Sequence, residues 1–135
     1  MLFVALGATA ATAQLNGAEI KFKKEVHDYG TVMQNGDGKC EFAFTNTGDE
    51  PLIIKSARGS CNCTVPQWPK EPIKPGETGI IKVEYGTHRV GPINKTVTVS
   101  TNSTDNPTVV LRIKGVVKAS PTAPSAKSSG PKATN

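Results

Sequence analysis

The sequence predicts an all-β domain, a sandwich of about seven short strands, and three observations carry the prediction. Between roughly Gly17 and Val117 apolar and polar residues alternate with period two. Turn signals punctuate this region at intervals of about ten residues. The chain of 135 residues carries 13 Gly and 10 Pro, too many for a helical bundle. No window of about twelve residues in this region shows the 3.6-residue period of a helix.

The elements follow in order. Ile20 and Phe22 alternate with Lys21 and Lys23. Cys40, Phe42 and Phe44 share one face, and Glu41, Ala43 and Thr45 share the other. Asn46-Thr47-Gly48-Asp49-Glu50 is a turn, and Pro51 opens the run Leu52-Ile53-Ile54. If that run pairs back as a hairpin, Cys40 falls opposite the neighbourhood of Ser56. Lys74-Pro75-Gly76-Glu77 places Pro and then Gly where a type II turn needs a fixed φ followed by a positive one. Ile81, Val83 and Tyr85 make the next apolar face, Val97 and Val99 another, and Val109, Leu111 and Ile113 the last. Sheets with one apolar face each must pack on one another, which makes a sandwich, with a small closed barrel as the structural alternative. Burial at about 25 cal/mol per Å² of apolar area holds such a domain without disulfides. The cysteines are therefore not obligatory staples.

Both ends read as lying outside the fold. Residues 1–13 form an apolar stretch closing in Ala11-Thr12-Ala13, the small-x-small pattern of a secretory cleavage site. No Lys or Arg precedes it, so either the true start lies upstream of Met1 or the signal is weak. Residues 14–18 are a short linker and residues 19–117 the domain. Residues 118–135 are a Pro/Ser/Ala/Lys tail with nothing in it large enough to offset ordering entropy, so disorder is expected.

Composition excludes several classes. No apolar run approaches the roughly 20 residues of a membrane-spanning helix. The net charge is +5, but Lys118, Lys127 and Lys132 lie in the tail and the remainder is nearly balanced. With few aromatics, and those at core-like positions, nucleic-acid binding is not expected. There is no nucleophile-elbow context, no paired catalytic carboxylates and no phosphate loop before a helix, so no enzyme and no cofactor are expected.

Several segments, taken together, resemble a known family. They are Asp28-Tyr29-Gly30, Phe42-x-Phe44-x-Asn46-Thr47-Gly48-Asp49-x-Pro51-Leu52, Ser60-Cys61-Asn62-Cys63-Thr64, Ile73-x-Pro75-Gly76-Glu77, Ser100-Thr101-Asn102 and Leu111-x-Ile113-x-Gly115. In this order they are similar to a family of exported bacterial proteins known only as a domain of unknown function, whose hallmark is Ser-Cys-Gly-Cys-Thr. The resemblance spans about Ile20 to Val117. It implies an immunoglobulin-like β-sandwich of the hydin and major-sperm-protein type, and no established activity. Asn62 stands where the hallmark has Gly.

Cys61 and Cys63 are the one constellation able to carry chemistry, and four readings of it stay open. A disulfide from Cys40 to Cys61 or Cys63 leaves one thiol over. A Cys61–Cys63 bond closes a small, strained, easily reduced ring. Two thiolates with His88 or Cys40 as a third ligand make a soft-metal site for Cu(I) or Zn. Plain thiols that shape the loop are the fourth. His27, beside Asp28, is expected to make a strand-end hydrogen bond, and Trp68, between Pro66 and Pro69, to fold over the core end or offer a recognition aromatic. The expectation for function is an exported, periplasmic or secreted, non-catalytic module. It binds an envelope protein or a glycan, with the loop of Cys61, Cys63 and Trp68 as the functional surface. A metal or thiol-redox protein acting through Cys61 and Cys63 is the alternative.

Overall fold

The structure, a computed structural model, describes residues 17–120. The expected signal segment and most of the expected tail lie outside the described residues. Eight strands occur in the order β1 (Ile20–Phe22), β2 (Val26–Met33), β3 (Lys39–Asn46), β4 (Ile54–Gly59), β5 (Thr64–Gln67), β6 (Thr78–Tyr85), β7 (Gly91–Thr101) and β8 (Thr108–Lys118). They form two four-stranded sheets, ordered β1-β3-β6-β5 and β2-β8-β7-β4. The architecture is all-β and a sandwich, as the alternation demands.

The core is the sum of the inward alternate residues. Phe42 and Phe44 of β3, Ile81 and Val83 of β6, Val97 and Val99 of β7, and Leu111 and Ile113 of β8 are all buried. Each such side chain contributes about 1.5–3 kcal/mol when removed from water. Gly79 lies opposite Phe44 in the β3–β6 register. A Cβ there would come within 2.5 Å of the Phe44 ring, so the ring occupies space that only glycine leaves.

The turn at Asn46 is tied by one buried side chain. Asn46 Oδ1 accepts from the backbone N–H groups of Gly48 (2.9 Å) and Glu19 (3.3 Å). Its Nδ2 donates to the carbonyls of Glu50 (2.7 Å) and Ile73 (2.9 Å). All of the amide's polar capacity is used, which is the condition for burying it. The Lys74–Glu77 turn forms as expected. Glu77 N–H donates to the Lys74 carbonyl at 2.9 Å, and Gly76 takes a φ of 84°.

The eight strands include β2 and β5, which lie in segments whose alternation is too short or too polar to register in the sequence. One expectation needs correction. The run after Pro51 does not pair back onto β3. Leu52 bridges to Ile73, and β4 belongs to the opposite sheet, antiparallel to β7. Cys40 therefore lies opposite Val83, not near Ser56. Strand β2 runs parallel to β8, with a bulge between Asp28 and Thr31 at Gly30, whose φ is 65°.

Candidate functional site

The loop between β4 and β5 carries the chain from one sheet to the other, and its geometry follows from small residues and backbone bonds. Gly59 is required at the crossing, because a Cβ would sit 2.0 Å from the Thr64 carbonyl oxygen. Ser60 anchors the loop to β7: its N–H donates to the Thr96 carbonyl (2.9 Å), and its Oγ accepts from the Thr96 N–H (3.1 Å). On the other side Gly86 N–H donates to the Cys63 carbonyl at 2.8 Å. Held between these anchors, Cys61 and Cys63 are joined by a disulfide, with Cα atoms 5.2 Å apart. This small ring is one of the four readings open in the sequence.

Cys40 takes no part in that bond. It is a free, buried thiol on the inner face of β3. Tyr29 Oη donates to the Gly38 carbonyl at 2.6 Å and lies 3.5 Å from Cys40 Sγ. The phenolic hydroxyl is the donor in both contacts, strong to the carbonyl and weak to the sulfur. Burial pushes the Tyr29 phenol far above its ordinary value, reinforced by Cys40 beside it. Burial likewise pushes the Cys40 thiol up. Both groups are neutral and inert at physiological pH.

The disulfide borders a cleft of about 450 Å³, lined by Cys61, Asn62, Cys63, Tyr85, Gly86, His88, Arg89, Pro92 and Lys95. Three of these carry or can carry positive charge and none is acidic. Lys95 is the residue that sequence reasoning missed. It stands on the inward register of β7, in the series Ile93, Lys95, Val97, Val99, where an apolar residue is the rule. A charged residue inside an apolar alternation was the available signal. The structure thus brings together Cys61, Cys63 and His88, the candidate metal ligands, on one cleft. With both sulfurs in a disulfide no thiolate is available, and among the described residues no three His, Cys, Asp or Glu side chains form a metal-ready group.

Thr64 ties the ring to β5. Its buried hydroxyl lies 3.5 Å from Cys61 Sγ and 3.8 Å from Cys63 Sγ. Cys63 N–H donates to Cys61 Sγ at 3.2 Å. The Cys61 sulfur therefore has the closer hydrogen-bond donors of the two.

The remaining candidates separate from this cleft. Among the described residues His27 meets Tyr29 rather than a strand-end partner: its ring packs edge-on against Tyr29 at 4.6 Å, because alternate residues of β2 face inward. Trp68 packs half-buried against the core, with Lys70 Nζ 3.5 Å from its ring centroid. It borders a groove of about 430 Å³ with Gln67, Pro69, Thr78, Gly79, Ile80 and Lys82. A second groove, about 660 Å³, adjoins it at Thr78, Gly79 and Ile80 and runs on past Ala43 to Lys21 and Lys23. Together they occupy the outer face of the β1-β3-β6-β5 sheet.

Two antiparallel-rich sheets packed face to face define an immunoglobulin-like β-sandwich. The chain belongs to the family described as protein of unknown function (DUF1573), whose profile matches residues 20–117. The resemblance noted in the sequence therefore holds for family and fold. The chain is similar to a protein of unknown function from Porphyromonas gingivalis W83, at 15% identity and a TM-score of 0.67, covering 78% of this chain and 50% of that one. It is similar to PapD-like domain 7 of human CEP192, at 9% identity and a TM-score of 0.62, covering 87% of this chain and 96% of that domain. It also matches part of the secreted serine protease VesC from Vibrio cholerae, at 9% identity and a TM-score of 0.54, covering 73% of this chain and 23% of that one. This chain thus spans half the length of the Porphyromonas protein and less of VesC. No curated protein matches the chain. At such identities the likeness is one of fold, and the same sandwich serves proteins of different activity.

Proposed function

We propose that this protein is an exported, non-catalytic module that binds an envelope protein through the outer face of the β1-β3-β6-β5 sheet. The observation that carries the reading is the pair of adjoining grooves meeting at Gly79–Ile80. Ile80 is 38% exposed there, and neither groove is lined by an acid, while Lys21, Lys23 and Lys82 rim them. Such a surface suits an extended acidic segment carrying an apolar side chain. The edge strand β1 borders the larger groove, so a segment laid along it gains main-chain hydrogen bonds. A protein partner is favoured over a glycan. Trp68 packs against the core and has Lys70 over its ring, so it is no open platform for stacking a sugar.

Export is part of the reading. The apolar stretch ending at Ala13 supports it, as does a disulfide, which persists in oxidising compartments.

The test is site-specific photo-crosslinking in intact cells, with a benzophenone side chain at Ile80 and, as a control, at Arg112 on the opposite sheet. The expected result is one discrete adduct from position 80 whose partner is an envelope protein, weakened by Lys21→Glu with Lys23→Glu. Equal, diffuse labelling from both positions sinks the proposal.

A further inference from the structure

The Cys61–Cys63 ring is placed for chemistry that the binding reading does not use. Both sulfurs are half-buried at the border of a cleft whose charged side chains, Arg89 and Lys95, are cationic, with His88 beside them. Lys95 occupies an inward position that costs the core an apolar residue, so its charge is spent on the cleft. Gly86, without a side chain, forms the cleft wall next to the Cys63 carbonyl, and His88 stands just beyond it. The ring joins residues only two apart, so its closure constrains little of the unfolded chain. A bond that contributes little to the fold can be opened without unfolding it.

We propose that this bond is a thiol–disulfide exchange site for thiols that carry negative charge, the full substrate being a dithiol flanked by carboxylates. The attacking thiolate adds to Cys63 Sγ as the Sγ–Sγ bond breaks, and the bonding electron pair leaves on Cys61 Sγ. Cys61 is the leaving sulfur because the Cys63 N–H, at 3.2 Å, and the Thr64 hydroxyl, at 3.5 Å, both reach it. These contacts stabilise the thiolate as it forms. The substrate's second thiolate then attacks its own sulfur in the mixed disulfide, which releases Cys63. Two electrons pass from the dithiol to Cys61 and Cys63, two protons reach the cysteines through solvent, and the substrate leaves as a disulfide. Lys95 and Arg89 attract the anionic thiol into the cleft.

The experiment follows opening of the bond in the full oxidised protein, trapping thiols by alkylation and counting them by intact mass. The probes are 3-mercaptopropionate and cysteamine, compared at equal thiolate concentration and low salt. The anionic thiol should react on the order of 10-fold faster, an advantage that added salt erodes. Lys95→Glu with Arg89→Glu should abolish or reverse that preference. Thr64→Val should slow both thiols, and Thr64→Ser, which keeps the hydroxyl, should restore the rate. Circular dichroism on each variant separates a folding defect from a chemical one, and the charge-reversal pair, both surface-lining, keeps the test decisive if Thr64→Val fails to fold. Equal rates for the two thiols, or a bond that opens only when the whole domain unfolds, overturns the proposal. Neither result bears on the grooves at Ile80, which are tested separately.

Discussion

Cys40 and the Cys61–Cys63 pair are the same element in two opposite surroundings. Cys40 lies between the sheets beneath Tyr29, its ionisation opposed by burial. Cys61 and Cys63 lie on a loop held by backbone bonds to β6 and β7, with donors aimed at one sulfur and cations near both. The difference teaches that reactivity here is set by what replaces water around sulfur. A sandwich interior replaces it with hydrocarbon and stabilises the thiol, whereas the crossing loop replaces it with N–H and O–H groups and stabilises a thiolate.

The contrast is broken or sharpened most directly by alkylation. Native Cys40 should react with iodoacetamide on the order of 100-fold more slowly than in urea, since labelling awaits opening of the core. Under mild reductant Cys61 and Cys63 should label in the native state, as read by peptide mass. If Cys40 labels as fast as the loop pair, the two environments are not distinct.

A smaller effect is expected from Tyr29→Phe, which removes one of the two donors to the Gly38 carbonyl and leaves the Tyr85 N–H at 2.8 Å; it should cost about 0.5–1.5 kcal/mol in urea unfolding. The same variant should change the response to alkali. Tyr29 and Cys40 both have folded-state values raised above the ordinary 10.0 and 9.0. Each therefore stabilises the fold below its unfolded value, and that stability is lost as pH rises through and beyond about 9. Stability of the natural protein should fall across that range, and Tyr29→Phe with Cys40→Ala should flatten the fall. A pH profile that the two substitutions leave untouched removes burial as the cause.

Comparably small is the loss of the ring itself. Cys61→Ser with Cys63→Ser should lower stability by only about 1–2 kcal/mol, the chain-entropy value for so short a loop. A loss as large as that of an internal strand would make the ring a staple and weaken the case for exchange.

The fold was largely legible because it is built from alternation. Phe42, Phe44, Val97, Val99, Leu111 and Ile113 stand at sandwich positions for the reason their spacing indicates. What escaped was pairing. Nothing local distinguishes a Leu52–Ile54 run that folds back on β3 from one that crosses to β7; the answer depends on Asn46 and Ile73, far apart in sequence and joined only in the folded chain. β2 was hidden because its inward residues are His27 and Tyr29, not aliphatics. The candidate site was half legible. Cys61, Cys63 and His88 were marked by residue type and do share a cleft, while nothing in residue type marks Lys95. Its inward register shows only when neighbouring apolar positions are counted. The pairing among three cysteines depends on which sulfurs the crossing loop brings within bonding distance, and that is a property of the tertiary structure.

The parallel pairing of β2 with β8 has a consequence in time. Sheet β1-β3-β6-β5 is complete once Tyr85 has been made, but the other sheet joins Val26–Met33 to Arg112–Lys118, nearly opposite ends of the domain. Until the last strand leaves the ribosome, β2 has no neighbour and the second layer consists of β4 and β7 alone. Contacts so distant in sequence form slowly, because their loop-closure entropy is met before any contact repays it. The core between the two sheets therefore closes only when nearly the whole domain has been made, and the strand that closes it, β8, is the one that joins the chain's early and late halves.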